Sequence, residues 1–272
     1  MKTVAGKTVL ITGGAMGLGK LFALNAVKER AANVVLWDIN EAALKETATE
    51  LEEFGGTVHT YLVDVSDTAA IKTSADAVNK DVGTVHVLFN NAGIVRGNSY
   101  FWEAALEAAD QTMAINSTGV MHVAHAFLPG MIDSGEQCRM VNIASSAGLN
   151  AVPRMAAYAA SKWAAIGFSD SVRLELEQAG HQHVKITTVC PSYISTGMFD
   201  GASKMFLTPI LKPEDVVRDV WREMLKGGPF LITPWSSRLN VALVGAMPVK
   251  IRDRFLRAVG VYDSMANFHG HK

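Results

Sequence analysis

Seven short apolar runs, separated by longer amphipathic stretches, narrow most sharply what this chain can fold into. They are TVLIT (8–12), NVVLWD (33–38), TVHTYLVD (57–64), VHVLFN (85–90), RMVNIAS (139–145), VKITTVC (184–190) and FLIT (230–233). Most are nearly continuous in Val, Ile and Leu, as strands buried on both faces are. Between them the periodicity predicts helices near 17–31, 41–54, 67–81, 103–131, 155–179 and 213–226. Pro213 followed by Glu214 and Asp215 marks one helix start, with proline in the first turn and acids at the positive dipole end. Strands alternating with helices imply right-handed crossovers and a parallel sheet covered on both faces. The expected fold is a single doubly wound α/β domain on a seven-stranded parallel sheet, and ligands of such sheets bind beyond the carboxyl ends of the strands.

Composition removes several alternatives. The chain has 272 residues, 49% of them hydrophobic, which suits one large domain. A formal net charge of −1 gives no electrostatic reason to expect nucleic acid as a partner. Cys138 and Cys190 are too few for a disulfide framework, and no Cys/His spacing points to a metal. The pairs His181/His183 and His269/His271 read as solvated loop and tail residues. Lys7 and the glycines after the first apolar run argue against a secretory signal. Residues 111–132 lack Asp, Glu, Lys and Arg but contain Gln111, Asn116, Gly119 and Pro129, so a buried helix is expected rather than a membrane span. A reduced, cytoplasmic location is the expectation, and the sequon at Asn116 is then accidental.

The end of the first run carries TGGAMGLG at 12–19. Gly13, Gly17 and Gly19 suit a tight strand-to-helix turn in which phosphate approaches the backbone and the helix N-terminus. The spacing G-x-x-x-G-x-G departs from the dinucleotide fingerprint G-x-G-x-x-G. A triphosphate loop at GKT (6–8) is excluded, because the glycine it needs five residues earlier is Met1. The second run ends in Asp38, where a carboxylate can bond both ribose hydroxyls of an adenosine and repel a 2′-phosphate. No Arg or Lys stands at 14–18 or 39–40 to hold that phosphate, so NAD is favoured over NADP. Asp38 could equally cap the helix after it, and Asp64 could meet adenine or cap the helix near Asp67.

YAASK, residues 158–162, places Tyr158 and Lys162 one helical turn apart with only small residues between. A phenol is a poor base near neutrality; a neighbouring ammonium favours its anion. That pairing predicts a tyrosine able to exchange a proton with an alcohol.

Together TGGAMGLG, NNAG (90–93), Asn116, Ser145 and YAASK resemble the classical short-chain dehydrogenase/reductase family, in the family's own order over roughly 5–235. VVLWDIN, HAFLPGM and PEDVV further resemble its retinol and 17β-hydroxysteroid dehydrogenase-like branch. The resemblance implies a Rossmann-type domain and an NAD-dependent oxidoreductase interconverting a hydrophobic alcohol and its carbonyl compound. It implies a catalytic set of Asn116, Ser145, Tyr158 and Lys162, with Ser146 a rival for the role of Ser145. Tyr158 would be the general acid/base, Ser145 would hold the substrate oxygen, and Lys162 would lower the tyrosine pKa and hold the nicotinamide ribose. Asn116 would order a water linking Lys162 to solvent. Gly13, Met16, Gly17, Leu18 and Gly19 would shape the pyrophosphate turn, with Asp38 at the ribose and Asp64 and Val65 at adenine. Asn91, Ala92 and Gly93 would support the middle of the cofactor, with Tyr158, Lys162, Pro191, Ile194 and Thr196 near the nicotinamide. Ser192 stands where the family usually has glycine and puts the local backbone path in question.

The stretch 198–212 is long, apolar and broken by Gly201 and Pro209, which suggests a lid. With it, Ser145, Leu149, Val152, Met155, Tyr158, Tyr193, Met198, Met205 and Phe206 are the expected substrate contacts, for a lipophilic alcohol or ketone. A catalytic domain over 1–235 is followed by an extension, 236–272, whose stretch 236–261 is apolar with five Arg/Lys against one Asp. Its uncharged part, 239–249, is too short to span a bilayer, so it covers the site, meets a second subunit or lies on a membrane surface. The helices at 103–131 and 155–179 are pairing surfaces in the resembled family, so a homodimer or homotetramer is expected.

Overall fold

Side chains alternate between the two faces of a strand, so a strand covered on both sides must divide its apolar residues between two cores. That division is what the structure, a computed structural model describing residues 1–203, 209–266 and 268, contains. The strands are β1 Thr8–Thr12, β2 Asn33–Asp38, β3 Val58–Leu62, β4 Val87–Asn90, β5 Cys138–Ile143, β6 Val184–Pro191 and β7 Phe230–Thr233. They form one parallel sheet in the order β3-β2-β1-β4-β5-β6-β7. The helices are α1 Gly17–Lys28, α2 Glu41–Glu53, α3 Thr68–Asp81, α4 Leu106–Met113, α5 Val120–Asp133, α6 Ala156–Gln178, α7 Pro213–Lys226, α8 Trp235–Gly245 and α9 Val249–Ala258. Val9, Ile11, Val34, Leu36 and Phe89 face α1, α2 and α7. Their neighbours Leu10, Val35, Trp37, Leu88 and Met140 face α3, α5 and α6. On the first side Phe89 stacks between Phe22 and Trp221, with ring centroids 4.5 and 5.7 Å away.

The chain reverses its direction of travel across the sheet between β1 and β4, which opens a crevice at their carboxyl ends. Two helix starts clarify what lines it. Asn40 caps α2 by accepting from Ala43 N, and Asp67 caps α3 by accepting from Ala69 N and Ala70 N. Asp38 and Asp64, each weighed above as a cap, are therefore not the capping residues. β3 and β5 also stop earlier than the apolar runs suggest, at Leu62 and Ile143, so Asp64 and Ser145 stand two residues beyond their strands.

The helix expected over 103–131 is three pieces: α4, a π-helical segment Ala114–Gly119 and α5. Gly119 is the last residue of the segment, and a side chain there would come within 2.6 Å of the Val65 carbonyl oxygen. The extension after β7 folds back on the domain: Val244 of α8, Leu256 of α9 and Val261 pack with Val152. Among the described residues no helix is long and apolar enough to cross a membrane.

Candidate active site

The glycine turn is built by close backbone approach. A Cβ on Gly19 would lie 2.0 Å from the Gly13 carbonyl oxygen, so α1 could not pack under the turn with any side chain there. Gly13 and Gly17 have φ of +63° and +55°, a region that favours glycine. Nothing lies within 4 Å of where a Gly17 Cβ would be, and no side chain caps the first N–H groups of α1. Met16 is exposed in front of the turn and Leu18 is half-buried behind it.

Residues just after β4 hold the turn from below. Asn91 Nδ2 donates to the carbonyls of Thr12 and Gly13 at 3.0 and 3.1 Å. Thr12 Oγ1 accepts from Asn91 N and Ala92 N at 3.0 and 3.1 Å. Asn91 is thus a support beneath the turn, and Thr12, absent from the sequence-based set, shares that work. Asp38 joins from β2, accepting from Ala15 N and Asn40 N, both at 3.1 Å. Asp64 is exposed and bonded to Ser66, while Val65 is buried against the π-helical segment.

Asn116 sits in that segment, fully buried. Its Oδ1 accepts from Ile94 N at 2.8 Å, and its Nδ2 donates to Ile94 O at 2.8 Å and to Ser161 Oγ at 3.2 Å. Ser161 Oγ in turn donates to Tyr158 O at 2.7 Å. Both amide N–H groups are spent on this clamp. The amide ties the segment after β4 to the helix carrying Tyr158 and Lys162. Only the small Ser inside YAASK hinted at this partner.

Ser145, Tyr158 and Lys162 are all buried and meet beyond the ends of β5 and β6. Ser145 caps a short 3₁₀ turn, Ser146–Gly148, its Oγ accepting from Ala147 N at 3.1 Å, and its hydroxyl favours the Tyr158 anion as a hydrogen-bond donor. Ser146 lies within the turn, so Ser145 is the serine facing Tyr158. Lys162 Nζ donates to Ile143 O at 2.9 Å and lies 5.7 Å from the Tyr158 ring centroid. A side chain on Gly93 would intrude here, its Cβ 3.2 Å from Asn116 Oδ1 and 3.5 Å from Lys162 Nζ.

The electrostatics depart from the sequence-based expectation. Burial pushes the Tyr158 phenol well above its ordinary value; the Ser145 bond opposes the rise, and Tyr193 and Cys190 add to it. Burial also lowers the Lys162 ammonium from 10.5 to about 8. Both groups are desolvated together, and that penalty exceeds the attraction expected from their spacing. Cys190, close to both Ser145 and Lys162, is pushed up to about 12 by burial and stays a neutral thiol.

Over Tyr158 lies an apolar cover. Phe199 meets its ring edge-on, with centroids 6.1 Å apart, and Met155, Met265 and Val152 complete the packing. Met198 is half-buried next to Phe199 in the chain and is not part of the cluster around Tyr158. Leu149 is half-buried at the end of the 3₁₀ turn and is not part of this cluster. The Tyr193 hydroxyl is engaged by Ser264 Oγ at 2.8 Å. Met265 was not legible as a site residue; nothing in its local sequence sets it apart. Met205 and Phe206 lie outside the described residues. Pro191 ends β6, Ile194 is buried and Thr196 half-buried. Ser192 is buried, donates its N–H to Thr233 O at 2.9 Å and has no left-handed φ, so the backbone path does not require glycine, while its buried Oγ has no partner among the described residues. A groove of about 620 Å³ between α1 and α7 contains none of these residues. Among the described residues no cluster of His, Cys, Asp or Glu is arranged to hold a metal ion.

Fold and site together define a nucleotide-binding α/β protein with a buried serine–tyrosine–lysine centre. The family model described as short chain dehydrogenase matches residues 7–205. Epidermal retinol dehydrogenase 2 of Homo sapiens is 37% identical over 274 aligned positions, covering 100% of this chain and 88% of the relative. 17-beta-hydroxysteroid dehydrogenase 13 of Mus musculus is 34% identical, covering 89% and 78%, and retinol dehydrogenase 10 of Xenopus tropicalis is 36% identical, covering 98% and 86%. Among solved structures, a short-chain dehydrogenase/reductase from Burkholderia phymatum in complex with NAD superposes with a TM-score of 0.82 at 28% identity, covering 90% of this chain and 95% of that one. An NAD+-bound xylitol dehydrogenase gives 0.75 at 25% identity, covering 85% and 99%. The chain belongs to the short-chain dehydrogenase/reductase family of oxidoreductases, in the branch that holds retinol and 17-beta-hydroxysteroid dehydrogenases.

Proposed function

We propose that this protein interconverts a hydrophobic secondary alcohol and its ketone, or a primary alcohol and its aldehyde, with NAD and with Tyr158 as general acid/base. The observation that carries the reading is the burial of Ser145, Tyr158 and Lys162 in one contact group beyond β5 and β6. Burying a phenol and an ammonium together is costly, and perturbed groups in a crevice are a mark of chemistry.

The residues present fit a dinucleotide. The open space before Gly17 and the uncapped start of α1 suit a pyrophosphate. Asp38, already anchored by Ala15 N, suits the adenosine ribose and disfavours a 2′-phosphate. When bound, the nicotinamide supplies hydride transfer. The chain's own part is the proton. In reduction the Tyr158 phenol, held neutral by burial, donates its proton to the developing alkoxide while Ser145 bonds the same oxygen. In oxidation Tyr158 first releases its phenol proton to solvent; the phenolate, stabilised by the Lys162 charge and the Ser145 hydroxyl, then accepts the hydroxyl proton of the alcohol. Support for a lipophilic substrate comes from the cover of Phe199, Met155 and Met265 and from the names of the relatives.

The test is absorbance at the NADH wavelength with NAD and a panel of lipophilic secondary and primary alcohols. Tyr158→Phe is expected to lower kcat by about 10²–10⁴ while dinucleotide affinity is kept. Equal activity in that variant removes Tyr158 as the base; NAD binding without turnover across the panel makes the protein a sensor rather than an enzyme. We also propose self-association through the α4–α6 side, where Trp102, Leu106 and Trp163 are exposed.

A further inference from the structure

Helix α8 is inside out. Its Ser236, Ser237 and Asn240 turn inward beside Val244, and Ser236 Oγ and Asn240 Oδ1 are enclosed without a partner among the described residues. Its apolar residues turn outward: Trp235 is 71% exposed, Leu239 50% and Leu243 43%, with Ala242 and Ala246 exposed between and beyond them. These positions recur at helical spacing and form one stripe. The stripe continues into α9, where Val249 is 58% and Ile251 55% exposed. A water-facing helix would carry the reverse pattern, so the exposed face is made for an apolar neighbour.

The flanks say which neighbour. Arg238, Lys250, Arg254 and Arg257 are exposed, and none forms an ion pair among the described residues. The one acid of α8 and α9, Asp253, is taken by Arg252 at 3.1 Å. A tryptophan at one end, a leucine stripe and a fringe of unpaired cations form the pattern of a segment that lies in a lipid interface. An anionic surface is the complement of that charge. We propose that α8 and α9 seat this protein on the surface of a lipid bilayer bearing acidic headgroups. The other side of the pair packs on Val152, which also packs in the cluster around Tyr158. The docking face is therefore one layer of side chains from the candidate active site, although the proposal stands independently of the chemistry there.

The experiment is flotation of the purified full chain with vesicles of phosphatidylcholine containing about 30 mol% phosphatidylserine, and with phosphatidylcholine alone. Binding to the acidic vesicles is expected, and it should weaken as salt is raised. Each cation is worth roughly five-fold in partitioning, so Arg238→Glu with Lys250→Glu should lower binding by at least ~25-fold. Leu239→Glu with Leu243→Glu, at exposed positions that leave the core intact, should abolish it; a thermal melt confirms that this variant is folded. The proposal is overturned if the wild type stays with the soluble fraction at every lipid concentration, if it binds neutral vesicles equally well, or if the leucine variant floats like the wild type. It is also overturned if that variant loses self-association by light scattering while vesicle binding is unchanged, since the stripe would then pair copies of the chain. Turnover of a water-soluble alcohol, measured without lipid, should be the same in both variants, which separates this outcome from any failure of the oxidoreductase reading.

Discussion

Replacing Lys162 by methionine should make the protein more stable and inactive, and the gain should fade as pH rises. The ammonium is buried and its pKa is lowered from 10.5 to about 8. At about 1.4 kcal/mol per pH unit, that difference is about 3 kcal/mol of destabilisation at pH 7. Because the folded-state pKa lies below the unfolded one, the unfolded chain binds more protons between them. The penalty is therefore complete below pH 8 and disappears as pH climbs from about 8 toward 10.5. Methionine has similar length and no charge, but it leaves the Ile143 carbonyl without its 2.9 Å partner, a loss of about 1–2 kcal/mol. The net gain at pH 7 is about 1–2 kcal/mol, or roughly 2–6 °C in Tm for a chain of this size. Paired melts of wild type and Lys162→Met at pH 7 and pH 9 test it, with the difference expected to shrink at the higher pH. A variant that is less stable at both, or more stable by the same amount at both, refutes the claim that burial of the charge sets this pKa.

Three further outcomes follow from the same geometry. Asp38→Ala should weaken NAD binding by about ten-fold or more, through loss of charged hydrogen bonds, and narrow the gap to NADP; titration calorimetry with both dinucleotides measures it, and unchanged affinities would leave Asp38 a purely structural partner of Ala15. Gly19→Ala puts a Cβ 2.0 Å from the Gly13 oxygen, so dinucleotide binding should be lost with a stability decrease of about 1–3 kcal/mol. Phe199→Ala removes the ring set edge-on to Tyr158 and should lower KM for bulkier ketones relative to small ones, read from kcat/KM across a size series.

The fold was legible because its signals are local. The strands at the centre of the sheet are rich in Val, Ile and Leu, and Gly13, Gly17 and Gly19 mark a backbone path few other residues allow. The site was legible through a short motif: i and i+4 spacing does bring Tyr158 and Lys162 together. What spacing could not give is the energetic sign. Proximity favours the phenolate, but the depth at which the pair is buried is set by Phe199, Met155 and Met265, which come from three separate parts of the chain. The Asn116 clamp is hidden for a similar reason, since it depends on Ile94, after the carboxyl end of β4, meeting Asn116 and Ser161 from distant parts of the chain. The caps Asn40 and Asp67 were visible residues whose competition with Asp38 and Asp64 only geometry decides.

The cover over Tyr158 links burial to substrate choice. Asn98 Nδ2 donates to Met265 O at 3.2 Å, Ser203 N donates to Ser264 O at 2.8 Å, and Tyr193 shares a bond with Ser264. These bonds hold an apolar side chain against the phenol and keep water from it. A substrate carbon reaching the Ser145 and Tyr158 hydroxyls has to replace part of that apolar contact. A hydrocarbon-rich alcohol does so with little change in the surroundings of Tyr158 and Lys162, because it restores the dispersion contacts it displaces. A polar one would bring its own hydration into a space with few spare partners, at the penalty for burying unpaired polar groups. In the proposed reaction the desolvation that raises the tyrosine would therefore also select against hydrated substrates.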